Sequence, residues 1–233
     1  TCYDKNTESS LIEDLTAIFN HNAIHTKIIW DASCCGMPKL ELGDLKQVER
    51  SKNANLPHLI EAVDEGYQIV SAIPSCVLMF KQELPLMFPE QQELTKIKDN
   101  FFDPFEYLML HVKQEKINLD FKHSLGKISY HAACHQRVQN VGAKTREFLN
   151  LIPGSEVDMI ERCSGHDGTY AVRSESYEKA LKIARPVQRQ IRENNADYVG
   201  SDCPMAGRLI THNSDTVEES VHPLTMVRHA YGI

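Results

Sequence analysis

The chain has 233 residues, of which 42% are hydrophobic and 24% charged, so it can bury a core and is not intrinsically disordered. Its formal net charge of −7 excludes a basic surface for sequence-independent nucleic-acid binding, and we expect no nucleic-acid partner. The longest mostly apolar stretch, residues 69–80, is about half the length needed to cross a bilayer, so no transmembrane segment is expected. Thr1 stands where an initiator methionine is usual, and we expect a fragment or a processed chain.

Helices and strands are predicted to alternate along the first part of the chain. Apolar residues at helical spacing, β-branched runs and turn residues predict helices at 11–19, 45–65 and 103–112, and strands at 26–30 and 69–72. Gly66 has the place of a glycine that ends a helix. Residues 88–125 contain no cysteine and many charges, and they are expected to link this part to the next.

The second part of the chain copies this order. It is predicted to form strands at 128–131, 157–160 and 198–201, and helices at 143–151, 176–194 and 222–230. Pro186 lies inside one of these helices and is expected to kink it. Alternating strands and helices predict an α/β fold, in which helices cover both faces of a parallel sheet.

Seven cysteines stand out, and their spacing repeats. They are Cys2, Cys34, Cys35, Cys76, Cys134, Cys163 and Cys203. The odd count and the adjacent pair argue against a secreted disulfide framework, and we expect a cytoplasmic protein. Cys134 follows Cys2 by 132 residues, Cys163 follows Cys34 by 129, and Cys203 follows Ile73 by 130. This near-constant offset predicts two pseudo-twofold-related, three-layer α/β halves with mainly parallel sheets, residues 1–110 and 111–233.

Each cysteine is predicted to follow a strand, in a loop that leads into a helix. Such loops meet at the carboxyl edge of a parallel sheet, so the thiols of each half should lie near one another. The helix N-termini are expected to lower the thiol pKa values, and Gly36 and Gly165 to adopt positive φ angles. Thiolates gathered in this way favour a soft-metal site, either zinc or an iron–sulfur cluster.

The cysteine pattern resembles the cysteine-rich CCG domain, present twice. The similarity rests on Cys34-Cys35-Gly36-Met37-Pro38, Tyr130-His131-Ala132-Ala133-Cys134-His135, Cys163-Ser164-Gly165, Gly168-Thr169-Tyr170 and His222-Pro223-Leu224. It extends over the whole chain, which resembles the paired CCG regions of the heterodisulfide reductase B subunit, the anaerobic glycerol-3-phosphate dehydrogenase C subunit and the lactate-utilisation iron–sulfur proteins. The resemblance implies an electron-transfer component of an oxidoreductase. It also implies [4Fe–4S] clusters held by the seven cysteines, and a flavoprotein or ferredoxin-type redox partner. Association with the inner face of a membrane is compatible with it.

Three cysteines of the doubled family pattern are missing. Ile73, Ser164 and Ala206 occupy their positions, which leaves four cysteines in the first half and three in the second. A five-thiolate non-cubane cluster is therefore excluded in either half on its own cysteines. His166 is the favoured additional ligand in the second half, ahead of His131 and His135. Alternatively, three cysteines would leave one iron open to a substrate.

Two other functions stay open at this point. The thiolates would serve equally in a structural zinc protein without redox activity. A metal-free thiol–disulfide oxidoreductase would use Cys34 or Cys35 as its nucleophile, which requires thiols of low pKa.

Overall fold

The computed structural model describes residues 9–212, 217 and 219–233, with the side chain of Ser9 excepted; Cys2 lies outside these residues. The helices are α1 (Ser9–His21), α2 (Met37–Glu41), α3 (Leu45–Asp64), α4 (Pro74–Leu78), α5 (Leu84–Met87), α6 (Gln92–Asp99), α7 (Pro104–Lys113), α8 (Cys134–Arg137), α9 (Lys144–Leu149), α10 (Ser174–Asn194), α11 (Pro204–Thr211) and α12 (Pro223–Tyr231). A π-helical segment (Met79–Glu83) joins α4 to α5, and a 3₁₀ turn (Tyr170–Val172) precedes α10. The strands are β1 (Ile69–Val70), β2 (Phe101–Phe102), β3 (Lys127–His131), β4 (Glu156–Ile160) and β5 (Tyr198–Ser201).

The strands form two parallel sheets, so the predicted α/β fold with parallel sheets is confirmed. One sheet has three strands in the order β4-β3-β5, with β3 in the middle and parallel to both neighbours. Ile128 lies opposite Val157 on one side and Tyr198 on the other. The second sheet contains only β1 and β2, which pair in parallel.

The helix limits follow local sequence signals. The Asp44 side chain accepts a hydrogen bond from the Gln47 backbone N–H and begins α3, as N-cap carboxylates do. Gly66, at φ 89°, follows the end of this helix as predicted, because glycine tolerates the left-handed conformation. Helix α10 continues through Pro186 to Asn194, where the predicted helix also ends.

The predicted strand at residues 26–30 is wrong. The segment is irregular, because a strand needs a hydrogen-bonded neighbour and a cavity separates these residues from β1. Residues 88–125, predicted as a linker, instead contribute β2 to the first sheet. Two residues of strand are too few to give an alternating pattern in the sequence.

Two helices pack across the predicted boundary between the halves. Helix α7, from the first part, packs on α9, where the Phe105 and Phe148 rings meet edge to face at 5.8 Å. Helix α12, from the end of the chain, packs on α1, where Asp14 accepts hydrogen bonds from Thr225 and Arg228. The largest buried apolar cluster accordingly runs from Leu11 to Tyr231. The division at residues 110 and 111 stays a prediction.

Candidate functional site

In the first half, the Cys35 thiol contacts the thiols of Cys34 and Cys76. Cys35 is buried between Cys34 and Cys76, the third residue of α4. Hydrogen bonds with both neighbouring thiols, followed by burial, raise the pKa of the Cys35 thiol well above its usual value. Cys35 is therefore held as the protonated thiol unless a cation compensates the negative charge of its thiolate.

The second half brings together Cys134, Cys163 and Cys203. Cys134 is exposed as a residue, but partial burial of its thiol and, less strongly, the neighbouring Cys163 raise the pKa of that thiol. Burial also raises the pKa of Cys203, although the backbone N–H groups of Met205 and Ala206 act in the opposite direction. The expectation that helix N-termini lower the thiol pKa values is thus wrong for Cys35, where hydrogen bonds with the neighbouring thiols and then burial outweigh the N–H group, and for Cys134 and Cys203, where burial does so.

The two CCG-like turns share their backbone geometry. The Gly36 N–H donates to the Cys34 Sγ at 3.5 Å, and the Gly165 N–H donates to the Cys163 Sγ at 3.4 Å. Both glycines adopt positive φ, 95° and 83°, as predicted. Two turns 129 residues apart thus present a sulfur over a backbone N–H in the same way, as expected of a repeat.

One cavity of about 460 Å³ collects both groups of thiols. It is lined by all the cysteines that the structure describes: Cys34, Cys35, Cys76, Cys134, Cys163 and Cys203. The three positions that depart from the doubled pattern, Ile73, Ser164 and Ala206, line the same cavity. The predicted convergence of the loops therefore extends to both halves, which face one shared space.

The histidines near the cavity differ in availability. His131 is buried and both its ring nitrogens are engaged, Nδ1 with the Ser201 Oγ at 3.0 Å and Nε2 with the Arg162 carbonyl oxygen at 2.9 Å. His131 thus connects the carboxyl end of β3 to that of β5 and to the loop after β4, and neither ring nitrogen is left to bind a metal. His135 and His166 line the cavity, and burial lowers the pKa of each imidazole, which favours the neutral form that metal sites use.

A sequence model of the cysteine-rich (CCG) domain matches residues 1–81 and 128–206, more than half of the chain. The chain belongs to the cysteine-rich (CCG) domain family. The two matched segments contain all seven cysteines.

Two of the proteins similar to this CCG-domain chain are, by name, subunits of a dehydrogenase and of a reductase. The C subunit of anaerobic glycerol-3-phosphate dehydrogenase of Escherichia coli (strain K12) is 26% identical over 231 residues, which cover 98% of this chain and 57% of that protein. Lactate utilization protein A of Lysinibacillus sphaericus (strain C3-41) is 30% identical over 182 residues, 76% of each chain. The B subunit of fumarate reductase (CoM/CoB) of Methanothermobacter marburgensis is 28% identical over 191 residues, 80% of this chain and 35% of that protein. The CCG-domain chain thus spans little more than half of the first relative.

The part of the CCG-domain chain that the structure describes contains no preformed group of metal-binding side chains and no membrane-spanning helix. Within the described ranges, which omit Cys2, no three His, Cys, Asp or Glu side chains converge closely enough to hold a metal ion. None of the described helices is both long and apolar enough to cross a membrane.

Asp202 directly precedes Cys203, and nothing in its immediate sequence distinguishes it from a surface carboxylate. In the CCG-domain chain it is buried, accepts hydrogen bonds from the Tyr130 and Thr145 hydroxyls, and does not line the cavity. Burial, with a smaller effect of Asp103, raises the pKa of its carboxyl to about 8. The sequence signal for this carboxylate was Tyr130, which lies in a predicted strand just ahead of the Cys134 loop. A tyrosine hydroxyl that such a strand buries needs a hydrogen-bond partner, and Asp202 provides it.

Proposed function

We propose that this chain is an iron–sulfur electron-transfer subunit, or part of one, of an oxidoreductase resembling heterodisulfide reductase and anaerobic glycerol-3-phosphate dehydrogenase. The observation that carries the proposal is the one cavity that six cysteines from five separate segments line. Soft thiolate sulfurs in this number are the donors that iron–sulfur clusters use. The relatives are named as components of redox enzymes, which supports a role in passing electrons.

The proposed ligands form two sets, one in each half. The first set is Cys2, Cys34, Cys35 and Cys76, which supplies four thiolates. The second set is Cys134, Cys163 and Cys203, with the His166 imidazole as the fourth donor. His166 is supported by its place on the cavity wall beside Cys163 and by the lowered pKa of its imidazole.

Thiol protons and backbone N–H groups of the chain would determine how these sulfurs bind a cluster. A [4Fe–4S] cluster, when bound, takes up and releases single electrons. The thiols of Cys35, Cys134 and Cys203, whose pKa values are raised, would give up their protons on binding, since the ligand is the thiolate. The N–H groups of Gly36 and Gly165 would stabilise negative charge on the sulfurs to which they donate.

The mouth of the cavity indicates where a redox partner would dock. Cys134 and Cys163 are exposed, whereas Cys35 and Cys76 are buried. We therefore propose that a redox partner, a flavoprotein or a ferredoxin-type domain, exchanges electrons at the second-half side. A cytoplasmic location, at the inner face of a membrane, belongs to the same proposal.

One of the two rival functions fits the site less well. A metal-free thiol–disulfide enzyme requires a thiol of low pKa, but the neighbouring thiols and burial raise the pKa of the candidate nucleophile Cys35. A structural zinc protein would use the same sulfurs, and metal analysis separates it from the iron–sulfur protein.

The test is anaerobic purification of the chain, followed by measurement of iron, acid-labile sulfide, zinc and visible absorption. We expect about four irons with matching sulfide for each occupied set, and a visible absorption that weakens on reduction. Zinc without sulfide would instead support the structural site, and no metal at all would support the thiol enzyme. Either result would overturn the proposal.

Single variants assign the sets. Cys35→Ala should remove the iron of the first half and Cys203→Ala that of the second, each leaving the other half loaded. Leu86→Ala serves as the control, because Leu86 is exposed and lies outside the cavity. If neither cysteine variant lowers the iron content relative to Leu86→Ala, the ligand assignment is wrong.

A further inference from the structure

A row of positive charge runs along the exposed side of α10. It consists of five side chains spaced three or four residues apart, which places them on one side of the helix: Lys179, Lys182, Arg185, Arg189 and Arg192. All five are exposed, and we call them the basic stripe. The other charged residues between positions 178 and 193 are Glu178 and Glu193, so this segment has a net charge of +3 in a chain whose net charge is −7.

The chain itself hardly neutralises the basic stripe. Arg189 forms an ion pair with Glu193 at 3.8 Å, but both side chains are 69% exposed, and such pairs hold their partners weakly. Among the residues that the structure describes, no carboxylate pairs with any of the other four cations of the stripe. The stripe is therefore open to negative charge from outside the chain.

The basic stripe adjoins the mouth of the cysteine cavity. Ile183 follows Lys182 directly, lines the cavity and is 43% exposed. The Ala180 backbone packs directly against Gly165, in the same turn as the exposed Cys163. A molecule that binds the stripe would therefore sit beside the accessible thiols of the second half.

The other side of α10 determines what kind of molecule can bind. Its apolar side chains are at most 4% exposed: Ala180, Ala184, Val187 and Ile191. A helix that lies on a bilayer inserts a free apolar face, and α10 has already buried this face in the chain. Nucleic acid is disfavoured by the net charge of −7. Charge alone is left for recognition, which suits the small, transient contacts of electron-transfer proteins.

We infer that the basic stripe is the docking surface for the acidic face of a one-electron carrier protein, an inference that rests on the proposed role in electron transfer. Carboxylates of the carrier would pair with Lys179, Lys182 and Arg185, the cations nearest to Ile183 in the sequence. Opposite charges of this kind mainly speed association and orient the partner. The carrier would thus approach with its redox group toward Cys163.

The test measures binding of a fluorescently labelled, acidic plant-type ferredoxin by anisotropy at about 20 mM salt. The first variant removes three cations of the stripe: Lys179→Gln, Lys182→Gln and Arg185→Gln. The control removes three exposed cations that do not line the cavity: Lys98→Gln, Lys113→Gln and Lys116→Gln. We expect Kd to rise about tenfold in the stripe variant and less than about twofold in the control. At about 500 mM salt, where charges are screened beyond about 4 Å, the difference should disappear.

A further variant gives a gain that a misfolded chain could not produce. Glu178 lies on the side of the basic stripe, four residues ahead of Lys182. Glu178→Gln removes its negative charge and should tighten ferredoxin binding about twofold. Labelled cytochrome c, a basic one-electron carrier, should not bind at either salt concentration.

Three results would overturn the inference: ferredoxin does not bind, the stripe and control variants weaken binding equally, or another polyanion is preferred. For the last, the same variants are titrated with phosphatidylglycerol vesicles and with a short DNA duplex. Tighter binding of either, lost in the stripe variant, would assign the stripe to a membrane or to nucleic acid. Iron content is measured separately. An iron-loaded chain that does not bind ferredoxin would contradict this inference alone, and an iron-free chain that binds it would contradict only the proposed function.

Discussion

The glycines of the two CCG-like turns provide a matched pair for substitution. Gly36 and Gly165 both have positive φ, so alanine at either position costs about 1–2 kcal/mol of backbone strain. Their surroundings differ. A Cβ on Gly36 would meet nothing nearer than the Ser51 Cβ at 3.4 Å, whereas a Cβ on Gly165 would lie 2.2 Å from the Ala180 carbonyl oxygen. That oxygen belongs to the backbone of α10 and cannot move aside as the end of a side chain can.

We therefore expect Gly165→Ala to destabilise the chain more than Gly36→Ala. Overpacking against a rigid neighbour costs about 1–3 kcal/mol, and this is the expected difference between the two variants. Alanine also lowers the conformational entropy of the unfolded chain, which favours folding. This contribution is common to both variants and cancels in the comparison. Relative to a typical domain stability of about 5–15 kcal/mol, Gly165→Ala should approach the limit that the fold tolerates.

Urea unfolding of both variants measures the free energies, with Gly43→Ala as the control. Gly43 also has positive φ, at 73°, but a Cβ there would meet nothing within 4 Å. Gly36→Ala and Gly43→Ala should agree within about 0.5 kcal/mol, which is the usual effect of a surface change. If Gly165→Ala falls in the same range, the close approach of α10 to the second turn does not limit the structure and the reasoning is refuted.

Three further predictions concern Asp202 and His131, which lie behind the site, and Arg228, which joins α12 to α1. The raised pKa of Asp202 means that the folded chain holds a proton that the unfolded chain releases, so stability should fall as pH rises from near 3.8 to about 8. Asp202→Asn should flatten this fall in urea unfolding, and an unchanged slope would contradict the assignment. His131→Ala should cost about 1–3 kcal/mol without loss of iron, because both ring nitrogens serve hydrogen bonds; loss of iron at unchanged stability would make it a ligand. Arg228→Met should lower the free energy of unfolding by about 1 kcal/mol, because it removes a partner of the buried Asp14. Arg189→Met, in an exposed ion pair, should change it by less than about 0.5 kcal/mol, and equal effects would refute the distinction.

The long helices could be predicted from the sequence because their signals are local. The end of α3 at Asp64, just ahead of Gly66, and that of α10 at Asn194 depend on residues within a turn of the helix end. The strand at residues 26–30 could not be judged in this way. Its β-branched residues favour extended backbone, but a strand also needs a neighbour, and the sequence does not show the gap beside β1.

The location of the site could be predicted from the sequence, but the direction of its thiol pKa shifts could not. The rule that loops at the carboxyl ends of parallel strands converge is topological, so the cysteines could be placed at one edge from their order in the chain. The thiol pKa values depend on how deeply each sulfur is buried and on which sulfurs touch it. The contact of Cys35 with both Cys34 and Cys76 exists only in the folded chain. It raises the thiol pKa, which a helix N-terminus was expected to lower.

The crossing of α7 and α12 has a consequence for how the molecule could have arisen. Each of these helices follows one CCG-containing segment and covers a helix of the other, so neither segment can shield its core alone. Two separate copies of a single-motif chain could make the same contacts by exchanging their last helices. The present chain therefore has the form of a domain-swapped dimer joined into one polypeptide, and a copy that ends at Lys113, the last residue of α7, should associate rather than remain monomeric.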